Sequence, residues 1–284
     1  MANTLSTKTL RDKYRLGQLD FTLRNNLVAE AVCMVDRTDL KTLQSPYLAA
    51  MSATVQAVAG TYTPAAFTTT DDTLTVADEF YVATHIFDFE NVFSKFDLFS
   101  SANAEMNRAI TEKIDRFVIN NLCEDGTGTY TTPVGGFTTA SNINTIFSNI
   151  VALTSGYAEA FNNLYVIVEN TDLTGLMQAG ATNGFTLADQ VIKNGKVGSW
   201  MGVDIYVVRT GTFADETLGT KTYTNSGHRV AGVKNIATYA APRGLRYEEK
   251  MVTGKTGMEI VVFGYIGFKL WAPKITLTID ITLA

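Results

Sequence analysis

The chain has 284 residues, enough for one large domain or two modest ones. Hydrophobic residues make up 46% of it and charged residues only 18%, so an ordinary exposed surface would be poorly supplied with charge and partners must cover much of it. A net charge of −5 excludes a strongly basic grip on nucleic acid, while leaving room for a weak, patchy contact with packaged nucleic acid.

Cys33 and Cys123 are the two cysteines, too far apart for a CxxC pair or a metal framework, and they read as buried, unpaired thiols. The N-terminal stretch MANTLSTKTLRDKYRLGQ lacks the apolar centre of a secretory signal. No run of about 18 apolar residues is present, so no membrane-spanning helix is expected. These features point to a protein made and used in a reducing cytoplasm, or in a particle assembled there.

Residues 1–48 are polar at first, with Lys8, Arg11, Lys13 and Arg15 close together. Leu23, Leu27, Ala31 and Met34 then predict a short helix ending near Asp36. Such an arm holds too little apolar surface to fold alone and must lie on something else. Residues 49–72 are small and almost free of charge, with Gly60 and Pro64 as breaks and Asp71-Asp72 as a turn. Leu74, Val76, Phe80, Val82 and Ile86 then alternate as a strand does. Together they predict a projecting two-stranded loop over 49–84, which needs a neighbour because a lone hairpin is marginal in water. The aromatic stretch from Phe87 to Phe99 leads into the longest element.

That element is SANAEMNRAITEKIDRFVINNL, residues 101–122. Met106, Ile110, Ile114, Phe117, Val118 and Leu122 recur at steps of three and four, with Arg108, Thr111, Glu112, Asp115, Arg116 and Asn120 on the other sides. The segment holds no Gly or Pro, Ser100 or Ser101 can cap its start, and Gly126 and Gly128 lie beyond its end. At 1.5 Å per residue it would be roughly 33 Å long, a strut rather than a catalytic wall.

A Gly-rich connector over 126–136 follows. Ser141 is then expected to cap a helix bearing Ile143, Ile146, Phe147, Ile150 and Leu153. The apolar run Leu164 to Val168 reads as a strand covered on both faces. Thr171 or Asp172 starts a short helix through Gln178, and Phe185 to Ile192 predicts another. Val197 to Trp200 and Val203 to Val208 form a strand pair, and Thr210 to His228 reads as an exposed loop. Strands are expected over His228 to Ala240, Leu245 to Val252, Met258 to Trp271 and Lys274 to Ala284. In the last, Ile275, Leu277, Ile279, Ile281 and Leu283 would face the strut helix. No internal repeat is visible.

Catalytic signals are sparse. His85 and His228 are the only histidines and neither has a ligand- or triad-like spacing, so both read as packing or surface groups. Thr253-Gly254-Lys255-Thr256 has the end of a phosphate loop, but Glu249 stands where its first Gly is required. No GxSxG, HExxH or EF-hand loop occurs. Asp71-Asp72 and Glu248-Glu249 read as solvated acids. No catalytic, cofactor, metal or cross-linking residue is therefore expected.

From Leu74 to Leu122 the chain reads TLTVADEFYVATHIFDFENVFSKFDLFSSANAEMNRAITEKIDRFVINNL from Thr73 on, and it resembles tailed-bacteriophage major capsid proteins of the Hong Kong 97-type fold. The carriers are a strand descending from an extended loop, an acidic aromatic link, and a spine helix with the Ile114-Asp115 pair. VGSWMGVDIYVV, Val197 to Val208, is similar to the Gly-punctuated strand pair late in that family's axial domain. The resemblance implies an α+β chain with an N-terminal arm (1–48), an extended loop (49–84), a peripheral domain (85–140 and 238–284, spine helix 101–122) and an axial domain (141–237).

It further implies a non-enzymatic shell subunit of the virion, assembled in the host cytoplasm as hexamers and pentamers around double-stranded DNA. Portal, decoration or separate scaffold proteins would be partners, with no membrane and no cofactor. Arg108, Lys113 and Arg116 would face DNA or pair with acids next door. Some members join a loop Lys to a neighbour's Asn, but no Lys lies in 49–84, so that cross-link is not expected. A cellular compartment shell of the same fold, an enzyme with an unrecognised site and a β-rich tail-tube protein are the competing readings. The last would not need the long helix.

Overall fold

The computed structural model describes residues 27–48, 60, 69–88, 98–160, 162–183, 196–242, 244–251, 254 and 256–284. The chain begins with α1 (Ala29–Val32), β1 (Met34–Asp36), β2 (Thr42–Leu48), β3 (Thr69–Thr75) and β4 (Asp78–Ile86). The long helix α2 (Leu98–Asp125) follows, then β5 (Gly128–Thr131), α3 (Ala140–Thr154), β6 (Leu164–Glu169), α4 (Leu173–Asn183), β7 (Lys196–Trp200) and β8 (Val203–Val208). The remainder is β-rich: β9 (Asp215–Leu218), β10 (Lys221–Thr224), β11 (His228–Val233), β12 (Ala237–Ala240), β13 (Arg246–Met251), β14 (Met258–Leu270) and β15 (Thr278–Thr282).

Two sheets carry the body. The six-stranded sheet runs β5-β15-β11-β6-β8-β7. All six residues of β6 are buried at its centre, as an uninterrupted apolar run requires, with β8 parallel on one side and β11 antiparallel on the other. The other sheet runs β1-β12-β14-β13, with β4 also pairing β14. β14 is its organiser: its first nine residues pair β4, its first six also pair β13, and its last four pair β12.

Helix α2 joins the two sheets. It is 28 residues long, starting before the expected Ser cap and running three residues past Leu122. At 1.5 Å per residue that is roughly 42 Å. Its first half lays Met106 and Ile110 against Ile86, Ile260 and Val262, a cluster separate from the main core. Its second half puts Phe117, Val118, Ile119, Leu122 and Cys123 into the main core with β6, β8, β11 and β15. Each such apolar side chain contributes about 1.5–3 kcal/mol on full burial.

The one-sided stripe predicted for this helix holds only for its first half. Asp115, Asn120 and Asn121 are buried as well. The physical reason is that α1 and the segment 210–228 cover its other sides. That segment is not an open loop: β9 and β10 form a hairpin, and Phe213, Leu218 and Tyr223 are buried. The predicted N-terminal helix is shorter than its spacing suggested. Val28, Ala29, Val32 and Cys33 point inward, while Leu27 and Met34 are exposed.

Other boundaries also differ. The ribbon is β2 against β3, in register from Thr42↔Thr75 to Leu48↔Thr69, so its first strand lies inside the segment expected as an arm. β4 belongs to the body sheet rather than to the ribbon. The ribbon's base crosses β14 at Gly267, where a Cβ would stand 2.5 Å from the Thr75 carbonyl oxygen. The strand expected over Lys274 to Ala284 is a 3-10 turn as far as Leu277, because Pro273 at its start removes a ladder donor. Only Thr278–Thr282 is strand, and it is sandwiched between β11 and β5, so Thr278 is buried along with Ile279 and Ile281. The strand expected over His228 to Ala240 divides at Asn235, which takes a left-handed φ of 62°, and its two halves serve different sheets. The helix predicted over Phe185 to Ile192 lies outside the described residues.

Candidate functional site

The paired acids lie on strands, with Asp71 and Asp72 inside β3 and not at a turn. Glu248 and Glu249 are exposed on β13, and Tyr247 donates its hydroxyl to Glu249. Asp72 receives the Ala272 amide at 2.9 Å and the Lys269 ammonium at 2.9 Å. Burial pushes its carboxyl up, but the Lys269 and backbone bonds overcome this and hold it below the usual carboxylate range. This pair fastens the ribbon to the end of β14. Thr253 and Lys255 lie outside the described residues. His85 is half-buried with its ring edge-on to Phe87 at 4.4 Å.

The helix cations pair within their own chain. Arg116 makes an ion pair with Glu216 of β9, and Lys113 reaches the same carboxylate at 3.5 Å. The acid that Lys113 and Arg116 meet lies on the packed hairpin of the same chain, not on acids next door; Arg108 is exposed.

Polar contacts that sequence spacing did not suggest hold the helix instead. Asp115 Oδ1 accepts the amides of Val28 at 2.8 Å and Ala29 at 2.6 Å, fixing the arm to the spine. Burial pushes this carboxyl up to about 6; the two amides pull it down, while Glu112 and Glu30 add to the rise. Asn120 donates to the Thr212 carbonyl at 3.1 Å and accepts from Asn225 at 2.9 Å. Asn121 donates to the Tyr223 hydroxyl at 2.7 Å. Below them, Arg229 is buried between Asp172, at 2.6 Å, and Glu169, at 3.1 Å, and Glu169 also accepts the Gly211 amide. His228 Nδ1 lies 2.8 Å from Asp280 Oδ1, which also accepts the Cys123 thiol at 3.3 Å. Cys33 and Cys123 are buried free thiols as expected. None of these partners is near in sequence, so no spacing could have signalled them.

What the molecule offers to others is surface. Tyr81, Met251, Leu40 and Leu48 are large apolar side chains with more than half their area exposed, on outer strands, the ribbon and the link that leads into it. A groove of about 310 Å³ runs between β4 and α2, walled by Phe80, Tyr81, Ala109 and Ile110 and edged by Glu112, Lys113 and Arg116. Every residue of β13 is exposed on the edge of its sheet. No helix among the described residues is long and apolar enough to cross a membrane.

Neither a protein-family profile nor a curated protein matches the chain in sequence. Solved structures do match. The capsid of the cyanophage P-SCSP1u superposes with a TM-score of 0.74 at 14% identity, over 99% of this chain and 95% of that one. A chain of Mycobacterium phage Che8 gives 0.73 at 14% identity, over 97% and 98%. The capsid of an empty GTA particle gives 0.69 at 13% identity, over 100% and 95%. With so little identity and near-complete coverage of both partners, the likeness lies in the course of the backbone: this chain has the α+β, Hong Kong 97-type capsid fold.

Proposed function

We propose that this chain is a major capsid protein, a structural rather than catalytic subunit that self-assembles into the icosahedral shell of a bacteriophage around double-stranded DNA. The observation that carries this reading is the match to capsid chains over 95% or more of both partners. The physics of the surface agrees with it. A ribbon whose alternate residues are exposed, an uncovered edge strand and scattered exposed apolar side chains are liabilities for a lone molecule. They become assets when copies of the same chain cover them, because many weak contacts add through multivalency.

In this reading the arm ends ahead of β2, the ribbon of β2 and β3 forms the extended loop, β4 joins 85–140 and 238–284 in the peripheral domain, and 141–237 is the axial domain. Hexamers and pentamers form the lattice, with portal, separate scaffold or decoration proteins completing it, and DNA touches the inner face without sequence specificity. The bends that separate flat hexamers from curved pentamers fall in the ribbon, since β5 ties Gly128–Thr131 of the expected connector 126–136 into the six-stranded sheet. Negative-stain microscopy of the expressed chain tests the proposal: closed shells or capsomer rings are expected, and a monomer that stays single at high concentration overturns it.

A further inference from the structure

Three side chains with metal-binding chemistry converge where α2, β11 and β15 meet. Cys123 comes from the buried last turns of the spine helix, His228 opens β11, and Asp280 sits at the centre of β15. Asp280 stands 2.8 Å from the His228 Nδ1 and 3.3 Å from the Cys123 sulfur, and the three donor atoms lie within 4.8 Å of one another. We propose that Cys123 Sγ, His228 Nδ1 and an Asp280 oxygen bind one borderline-soft divalent ion of the Zn2+ class, with water as the fourth ligand.

Five points support this. The geometry is close to what the ion demands: bonds of about 2.0–2.3 Å in a tetrahedron separate ligand atoms by roughly 3.3–3.7 Å, so adjustments of about an ångström suffice. The donors are a sulfur, an imidazole nitrogen and a carboxylate oxygen, a set that selects Zn2+ over Mg2+ or Ca2+. All three ride on helix or strand held in the main core, so the site is preorganised. The His228 and Asp280 side chains keep 26% and 21% of their area exposed over the buried sulfur, which leaves an entry path. Arg229, beside His228 in sequence, is neutralised by Glu169 and Asp172 and does not oppose a cation.

Binding displaces the thiol proton and needs the neutral imidazole with its Nδ1 free to ligate. The thiol proton leaves to solvent, and in the ion-bound form the imidazole carries its proton on Nε2. The ion would tie the end of the spine helix to the last strand, and it concerns the single subunit, so it stands whether or not shells form.

The test uses the purified full-length chain, dialysed against chelator and titrated with Co2+ alone and then Zn2+. One Co2+ per chain with a thiolate charge-transfer band in the near ultraviolet is expected, bleached by Zn2+, together with a thermal midpoint several degrees higher in Zn2+ than in Mg2+. Cys123→Ser should abolish the band, whereas Cys33→Ser, which removes the other buried thiol, should keep it. If Cys123→Ser does not fold, His228→Asn, at a partly exposed position, decides in its place by losing the band and the midpoint shift. Absence of binding, binding without the sulfur band, or a band that survives Cys123→Ser or His228→Asn overturns the proposal.

Discussion

Asp115 carries the contact on which the arm depends. It is 3% exposed, its Oδ1 holds the amides at the start of α1, and its Oδ2 has no hydrogen-bond partner among the described residues. Its carboxyl is raised from 3.8 to about 6, first by burial. A raised carboxyl favours the protonated form in the folded state, so its contribution to stability is complete below pH 3.8 and is lost as pH rises through about 6. A shift of that size corresponds to roughly 3 kcal/mol. Asp72 and Asp204 are shifted the other way, so their contributions are lost only as pH falls below about 3.8 and do not mask this window. The Val28 and Ala29 amides should therefore exchange with deuterium more slowly at pH 5 than at pH 7.5 once intrinsic rates are corrected. Asp115→Asn should remove that difference while keeping an oxygen acceptor for both amides. Equal pH dependence in the variant would show that another group controls the arm. The Ile114-Asp115 pair was visible as a sequence feature, but its burial was not, since the residues that bury it lie 86 and 87 positions away.

The spine helix divides into two halves with different packing. The second half is fixed on every side by the main core, α1 and the β9–β10 hairpin. The first half rests on the small cluster with Ile86, Ile260 and Val262. Ile110 sits in that cluster at 1% exposure, so Ile110→Ala should lower unfolding stability by about 2–5 kcal/mol. Denaturant titration followed by a probe on β14 checks this, and a loss under about 1 kcal/mol would mean that the helix end collapses onto the sheet without strain. Elements with a strong local period were legible: the buried run of β6 and the Gly-turned pair β7–β8 match their readings, and so do Ile143, Ile146, Phe147 and Ile150 of α3, although Leu153 is exposed and Ser141 lies inside the helix instead of capping it. The C-terminal alternation misled because Pro273 and a two-sided sheet position outweigh period-two patterning.

At the scale of the molecule, low charge becomes intelligible through the ribbon, the edge strand and the outward apolar side chains. The expected loop holds no Lys between residues 49 and 84, so shells should be joined by non-covalent contacts alone. Purified particles boiled in SDS should run as a single band near 30.9 kDa, and a ladder of multiples would refute it.

The elements with the strongest local signal follow from periodicity and from Gly and Pro, because these act between residues a few positions apart, whereas the Asp71-Asp72 turn, the 210–228 loop and the full C-terminal strand did not form as read. The long helix, the continuous central strand and the absence of familiar catalytic motifs were accordingly readable from residue order. The wrapping of the helix by α1 and the hairpin was not, nor the meeting of His228 and Cys123 at Asp280, nor the burial of Arg229 between Glu169 and Asp172. Those contacts join residues 52 to 157 positions apart, and chain order carries no distance information at that range until strands have paired and the core has closed.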